Sequence, residues 1–426
     1  MLSRTPRALK IAVLVTVASA CGEQGGGGGQ AWEAVIDTVG DTVVVHTTSG
    51  GVWPDTAMLV PEMSFGVFEG PDEFMFGNVS ALAVSQDGEI YVSDTQVPAV
   101  RKYSAEGEYL YDLGREGGGP GEYKRPDGGL AVLPDGRVLV RDPGNNRINV
   151  YSADGDDLTS WRLPGGLSTS RRLYVDVSGN AYAMVLSELA SDVTQWKYGL
   201  VKYTPEGIHE DTLLAPTWDY DPPVVVGRRE GSSSSTSVPF NADDSWTFSP
   251  LGYFVGGVSV DYQVDLYRVD EPRLRISKDW TPVPVIPDEA EEQERRIREN
   301  FTRQFPGWKW NGPGIPDTKP PYRDIMVTDE GRIWVTVSQE SRATMTVADA
   351  RAEEEASGRS QMRYAEPPAF DVFESDGRFL GHVRVPEGFR SSPDPIVRGD
   401  YVWAVARDEL DVISIVRYKV MLPSKT

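Results

Sequence analysis

Short runs of alternating apolar and polar residues, separated by glycine-containing turns, follow one another along most of this chain. The runs are about five residues long and rich in β-branched and aromatic side chains, which is typical of β-strands. In the clearest stretch we predict strands over Ala81–Ser85, Glu89–Ser93, Val100–Ser104 and Tyr109–Leu113. Turns at Asp87-Gly88 and Glu106-Gly107 join them in pairs, so the pattern predicts a sheet of four antiparallel strands.

The same pattern returns at a fixed interval. Asp87-Gly88 recurs as Asp135-Gly136, 48 residues later, and the surrounding apolar positions recur with it. A period of this size, built from four short strands, is typical of a propeller blade. One such sheet cannot bury both of its faces, so several must pack around an axis. We therefore predict an all-β fold, a β-propeller of four-stranded antiparallel blades.

The spacing from a turn glycine to an aromatic residue fifteen positions later locates further blades. The pairs that obey it are Gly88 and Tyr103, Gly136 and Tyr151, and Gly252 and Tyr267. Two more copies carry insertions, and a last copy (396–420) has only three strands. We predict that the β-rich segment Trp32–Thr47 supplies its missing outer strand and closes a six-bladed ring. A seven-bladed ring is the alternative if residues 48–78 form additional strands.

The long insertions all fall in two kinds of connection, between the second and third strands of a blade and between successive blades. They span residues 185–197, 216–245, 287–321 and 338–369. In antiparallel blades these connections leave the strands at one face of the disc, whereas the short glycine turns lie at the other. Insertions gathered on one face of a repeat protein are typical of a binding face.

Two insertions are expected to contain short helices. Residues 288–305 follow Pro287 and place Ile297, Phe301 and Phe305 on one stripe. Thr346–Ser357 is rich in Ala and Glu and ends at Gly358.

Aromatic residues follow the first of these helices. Trp308 and Trp310 are candidate ligand-binding residues that would form a wall over the ring, with packing between blades as the alternative. The run Ser232–Ser235 indicates a loop.

Polar residues that lead into the inner strands are candidates for the mouth of a central channel, where a narrow ring of side chains can bind a ligand. They are Asn78, Asp127, Arg172, Arg323, Asp324 and Asp394. His46, His209 and His382 fall at different blade positions, so no three-histidine zinc site is expected. No serine or cysteine stands in a recognisable nucleophile motif.

One blade carries a more specific pattern. Residues Asp142–Tyr151 read Asp-Pro-Gly-Asn-Asn-Arg-Ile-Asn-Val-Tyr, which resembles the NHL repeat, and the first blade keeps Asp94 and Tyr103. The chain resembles bacterial six-bladed β-propeller lipoproteins with NHL-like repeats. Gluconolactonase-like rings of this kind hold Ca²⁺ on the axis, and the resemblance implies Asn78, Asp127, Asp324 and Asp394 as possible ligands here.

The N-terminus reads as a targeting segment. Residues 1–20 have a basic start and a short apolar core, too short to cross a membrane, and end in Ala18-Ser19-Ala20 before Cys21. This resembles a lipoprotein signal peptide with lipidation at Cys21. Residues 21–31 are then a glycine-rich tether, and residues 32–426 form a single propeller domain.

Charge and cysteine content exclude some functions. The net charge is −22, and −25 without residues 1–20, which argues against nucleic-acid binding. A single cysteine excludes an internal disulfide. We expect a monomeric lipid-anchored protein of the cell envelope, in the outer membrane or on the periplasmic side, attached to the membrane only through Cys21.

Two functions remain after these exclusions. The first is a binding module, without cofactor, whose inserted face holds a peptide, a glycan or an envelope protein. The alternative is a metal-dependent, gluconolactonase-like hydrolase or lyase at the axial channel.

Overall fold

The computed structural model describes residues 30–96, 99–124, 126–163, 172–188 and 196–423. Several predicted segments lie outside the described residues, namely the signal peptide, most of the tether with Cys21, and part of the 185–197 insertion. Strands dominate the chain, as expected, and they form six four-stranded antiparallel units. No helix in the described ranges has both the length and the apolar character to cross a membrane.

The first three blades follow the chain order, from the inner to the outer strand. Blade one comprises Val79–Val84, Ile90–Asp94, Ala99–Tyr103 and Tyr109–Leu113. Blade two comprises Leu130–Val132, Val138–Asp142, Arg147–Tyr151 and Asp157–Arg162. Blade three comprises Leu173–Val175, Ala181–Glu188, Lys197–Tyr203 and His209–Leu214. Gly88 and Gly136 have φ of 85° and 87°, which explains why the repeated turns contain glycine.

Blades four and five carry the large insertions. Blade four comprises Asp244–Phe248, Phe254–Val258, Gln263–Tyr267 and Arg273–Lys278. Blade five comprises Tyr322–Val327, Ile333–Val337, Ala369–Phe373 and Phe379–Arg384. Two N-terminal strands, Glu33–Val39 and Thr42–Ser49, extend blade four outward, because Thr42–Thr47 pairs in parallel with its outer strand.

Blade six joins the two ends of the chain. Its inner three strands are Ile396–Arg398, Tyr401–Arg407 and Ile413–Met421. The fourth is Ala57–Phe65, which pairs antiparallel with Ile413–Met421. An N-terminal strand therefore closes the ring, but the prediction that Trp32–Thr47 would do so is wrong. Residues 48–78 contain this one long strand and add no seventh blade.

Six hydrophobic clusters occupy the spaces between neighbouring blades. For example, Val100 and Leu113 of blade one pack with Val138 and Tyr151 of blade two. The other clusters join blades two and three, three and four, four and five, five and six, and six and one. The core is thus a ring of apolar interfaces around the axis. The cluster between blades six and one shows that the ring is closed.

Both predicted helices are present. Helix α1 spans Pro287–Gln304 and helix α2 spans Val347–Ser357. Thr346 and Asp349 form a capping box on α2, and Gly358 ends it with a left-handed backbone. The helices touch each other, since Arg295 forms an ion pair with Glu354 at 2.9 Å.

A hairpin packs against helix α1. Its strands are Val224–Arg229 and Ser232–Ser237, so the prediction of a loop over Ser232–Ser235 is wrong. Val225, in the first strand, and Val238, directly after the second, share a separate apolar cluster with Phe301 and Phe305. Packing against the helix, rather than the serine composition, decides the local structure here.

The remaining elements are short. They are the strands Arg115–Glu116, Glu122–Tyr123, Val283–Pro284, Thr318–Lys319, Arg342–Ala343, Tyr364–Ala365 and Phe389–Arg390, and a 3-10 helix over Asp72–Phe74.

The closing strand offers a direct test. Leu59 is 3% exposed and packs between blades five and six, whereas its neighbour Val60 is 42% exposed on the same strand. Replacing Leu59 with Ala should lower the free energy of unfolding by about 2–5 kcal/mol, because it leaves a cavity in a core interface. Val60→Ala, the matched control, should change it by less than about 0.5 kcal/mol. Equal losses in denaturant unfolding would contradict closure by this strand.

Candidate ligand-binding channel

A central channel of 630 Å³ runs along the axis and is lined by the inner strand of every blade. Each of these strands bonds to neighbours within its own blade and turns its other edge toward the channel. The wall is mixed, with the apolar residues Leu82, Leu130, Leu173 and Val397 and several charged residues among those that line it. Small-ligand sites commonly combine apolar walls with a few placed polar groups.

Two of the predicted mouth residues, Arg172 and Asp394, meet at one end of the channel. A third, Asp324, lies outside the channel lining but acts on the charge of Arg172. Arg172 forms an ion pair with Asp394 and lies 3.4 Å from the Thr247 hydroxyl. Its guanidinium also lies 5.5 Å from the ring centroid of Tyr174. Burial disfavours the charge on Arg172, but Tyr174 and Asp324 outweigh this and raise its pKa, so the side chain stays a cation.

A second charge pair lies toward the other end of the channel. Arg398, the last residue of the inner strand of blade six, contacts Asp329, which follows the inner strand of blade five, at 3.1 Å, and both residues line the channel. Burial raises the pKa of Asp329 despite this arginine. The channel therefore has an arginine–carboxylate pair near each end and an apolar stretch between them.

The other predicted mouth residues serve local structure. Asp127 pairs with the buried Arg141, and burial raises its pKa although that guanidinium opposes the rise. Asn78 is exposed and donates to Thr95 at 2.6 Å. Arg323 pairs with Glu366 at 2.8 Å, on the side of the insertion. These three residues are outside the channel lining, so they do not join Arg172 there.

The repeated aspartates at the ends of the second strands bond turn groups, as their position in the repeat suggests. Asp94 accepts from the backbone amides of Gly77 and Asn78 at 2.7 and 3.0 Å. Asp142 accepts from the amide of Lys124 at 3.0 Å and from the Asn145 side chain at 2.7 Å. Their role in the described structure is to hold the connections between blades.

Trp308 and Trp310 pack within the insertion. Trp308 lies 4.9 Å from Phe301 between ring centroids and donates to the Val226 carbonyl at 2.9 Å. Trp310 donates to the Pro313 carbonyl at 2.9 Å and stacks near Arg298. Both rings are half-buried, so they combine a packing role with a remaining accessible surface.

A second polar cluster, around Asp371, was not predicted from the sequence. Asp371, in the third strand of blade five, is 1% exposed and accepts hydrogen bonds from Lys278 and Tyr262, each at 2.8 Å. His382 contacts its other oxygen through Nδ1 and is half exposed to a cavity of 430 Å³ at the outer edge of the ring. Burial would raise the pKa of Asp371, but His382 and Lys278 outweigh it and lower the pKa below its usual value.

The local sequence around Asp371 gives no sign of this cluster, because its members come from three strands of two blades and from Tyr262, just before a fourth strand. His46 lies nearby on the added strand of blade four, 2.9 Å from Ser277 and 3.2 Å from Asp279. Among the residues that the structure describes, no three His, Cys, Asp or Glu side chains converge in an arrangement that would hold a metal ion.

The chain is similar to a known family over part of its length. Residues 59–215 match the model of family DUF5128, a 6-bladed beta-propeller. This segment contains the closing strand and the first three blades, which are the most regular part of the repeat. No curated protein matches the sequence.

The chain superposes on several solved structures. A member of the duf4221 family from Bacteroides vulgatus superposes with a TM-score of 0.51 at 9% identity, over 86% of this chain and 99% of that one. A putative exported protein from Bacteroides fragilis gives a TM-score of 0.44 at 13% identity, over 85% and 95%. A gluconolactonase from Xanthomonas campestris gives 0.36 at 13% identity, over 90% of each chain. The first of these supports the propeller fold alone.

The Asp371 cluster predicts a pH-dependent contribution to stability. Asp371→Asn should lower the free energy of unfolding at pH 7 by about 3–5 kcal/mol, because it leaves the Lys278 cation without its buried carboxylate. The folded pKa of Asp371 is depressed, so this contribution is complete above the unfolded value of about 3.9 and is lost as the pH falls below it.

Chemical denaturation of both proteins at pH 7 and at pH 3 would measure this difference, which should shrink at the lower pH. Asp279→Asn is the control, since Asp279 is 74% exposed and pairs only with His46. A difference that is independent of pH would show that the charge of Asp371 is not what stabilises the fold.

Proposed function

We propose that the protein is a ligand-binding module, without catalysis, whose ligand presents a carboxylate to Arg172 at the mouth of the central channel. One observation carries this proposal. Arg172 is a cation at the entrance of a cavity large enough for a small ligand, and its partner Asp394 is 43% exposed and sits on a loop. A ligand carboxylate can replace Asp394 on the guanidinium and leave no buried charge unpaired.

The chemistry of the guanidinium favours this exchange. Arginine binds carboxylates through two parallel hydrogen bonds, and these charge-assisted bonds are stronger than neutral ones. The net negative charge of the protein disfavours anions over most of its surface, so the mouth adds selectivity as well as affinity. Behind the arginine, Leu173 and Leu82 offer apolar contact to the body of the ligand.

We further propose that the insertion contacts the part of the ligand that stays outside the channel. The connections that contain α1 and α2 leave the blades at the end where the inner strands begin, which is also where Arg172 lies. Trp308 and Trp310 are half-buried there and retain accessible ring surface. A peptide, a glycan or an envelope protein with an acidic end would fit this arrangement.

The proposed setting is the cell envelope, with the protein as a monomer. The basic, apolar and small-residue segments before Cys21 support lipid attachment at that cysteine, and the glycine-rich tether supports a folded body held close to a membrane. The outer membrane or its periplasmic side is the location we propose. The net charge gives no support to a nucleic-acid partner.

Arg172 is the residue to change. Arg172→Gln should weaken binding of a short peptide with a free C-terminal carboxylate by about tenfold or more, since a charge-assisted pair contributes roughly 1.5–3 kcal/mol. The same peptide as a C-terminal amide should bind the unaltered protein equally weakly. Arg323→Gln is the matched control, because it removes the same charge outside the channel. Isothermal titration calorimetry gives the dissociation constants.

The competing function would show itself through metal. Stoichiometric calcium or another divalent ion in the purified protein, lost after Asp324→Ala or Asp394→Ala, would overturn the binding module in favour of a metal-dependent hydrolase or lyase. Hydrolysis of lactones or esters by that metal-loaded protein would point the same way.

Lipid attachment is tested separately. Cys21→Ser should move the protein from the membrane fraction to the soluble extract, because the thiol that would receive the lipid is gone. Immunoblotting of the two fractions measures the shift, and Ser19→Ala serves as the control. Retention of the Cys21→Ser protein in the membrane fraction would contradict the anchor.

A further inference from the structure

The 287–321 and 338–369 insertions, here called together the insertion, form a further cavity of 430 Å³ on helix α1 and the segment that follows helix α2. Three arginines line it: Arg296 and Arg303 from α1, and Arg359 from the segment after α2. We propose that this cavity is a binding site for a soluble phosphomonoester. The site is separate from the central channel, and the proposal goes beyond the function assigned to that channel.

The sequence of α1 places the arginines together. Arg296, Asn300 and Arg303 follow one another at intervals of four and three residues, so they form a stripe along one side of the helix. Arg359 comes immediately after Gly358, the residue that ends α2. The next residue, Ser360, donates to Glu299 of α1, and this contact brings Arg359 beside the stripe.

The arginines of the cavity differ from their neighbours in having no acidic partner. Arg295, Arg298 and Arg363 of the same insertion each form an ion pair, with Glu354, Glu294 and Glu292 respectively. Within the described part of the chain, by contrast, Arg296 bonds the neutral Gln293 at 2.9 Å, and Arg303 and Arg359 have no carboxylate within ion-pair distance. An acidic protein has thus left three cations uncompensated around one cavity.

The local charge indicates a dianion. Three arginines and the lining carboxylate of Glu299 leave two positive charges, and a phosphomonoester carries about −1.5 to −2 at neutral pH. Guanidinium groups bind phosphate oxygens in pairs, and the Asn300 amide adds a neutral hydrogen-bond donor.

The floor of the cavity accounts for the rest of the ligand. Ile297 and Phe301 line it and are 8% and 2% exposed, so an apolar group attached to the phosphate would find contact there. A soluble ligand fits better than an anionic membrane surface, because the net charge of −22 repels such a surface as a whole.

Phenyl phosphate is a suitable probe, since it combines a phosphomonoester with a small apolar group. Isothermal titration calorimetry on the full chain should show saturable binding, with phenol giving none. Arg303→Gln and Arg296→Gln should each weaken it about tenfold, because each removes one charge-assisted pair. All three arginines are exposed, so the variants should unfold at the same temperature as the unaltered protein.

Arg351→Gln is the matched control. Arg351 lies on α2, is exposed and pairs with Glu355 at 3.0 Å, so its loss removes the same charge from the same insertion. Its affinity should stay within about twofold of the unaltered protein.

Three results would overturn the proposal. The first is an absence of saturable binding, and the second is an equal loss in Arg351→Gln, which would show only a general charge effect. The third is binding to vesicles of phosphatidylglycerol and phosphatidylcholine that depends on Arg303 while phenyl phosphate fails to bind. That outcome would make the cavity a membrane contact instead of a site for a soluble ligand.

Discussion

Closure of the ring depends on pairing between Ala57–Phe65 and the last strand of the chain, Ile413–Met421. Without it, the sixth blade would have three strands and an open hydrogen-bonding edge, and the apolar side chains between blades five and six would lose one wall. Because every inter-blade interface depends on the blades on both sides, this one pairing holds the six clusters in a single ring. The channel exists only while that ring is closed, so Arg172 from blade three can meet Asp394, which leads into blade six.

Two groups of charged side chains differ in their surroundings, those that are buried and paired and those at the proposed binding sites. Buried cations and carboxylates in the body of the protein are paired: Arg141 with Asp127, Lys278 with Asp371, and Lys319 with Glu366. Such pairs are structural, since removing one partner leaves the other uncompensated. The proposed sites differ in kind. At the channel mouth the pair is half exposed and exchangeable. Arg296, Arg303 and Arg359, by contrast, have no acidic partner among the residues that the structure describes.

The regular part of the fold could be predicted because its signals are local. A turn that needs a positive φ selects glycine, as at Gly88 and Gly136, and it therefore repeats with the blade. The closing strand was missed because Pro61 looks like a strand breaker and a register shift between Pro61 and Met63 interrupts the alternation. Trp32–Thr47 was correctly expected to be β-rich, but a strand pattern does not identify its partner.

The site was predictable to the extent that topology alone determines it. The rule that residues before the inner strands lie at the channel mouth was right for Arg172 and Asp394. It failed for Asn78, Asp127 and Arg323, whose side chains turn to local partners, and Asp324 lies outside the channel lining. The Asp371 cluster and the arginine cavity depend on contacts between distant segments, for which the chain has no repeated signal.

The two strands added to blade four have a consequence for how the molecule meets its surroundings. They lie outside the fourth strand of that blade, and Gln30, where the described chain begins, lines the cavity at the boundary with blade five. Whatever precedes Gln30 is therefore joined to the rim of the disc and to neither flat side. With a lipid on Cys21, a tether reaching about 15–18 Å would hold the propeller near the membrane by its outer edge, with its axis parallel to the membrane surface. Both openings of the axis would then stay accessible from the surrounding fluid.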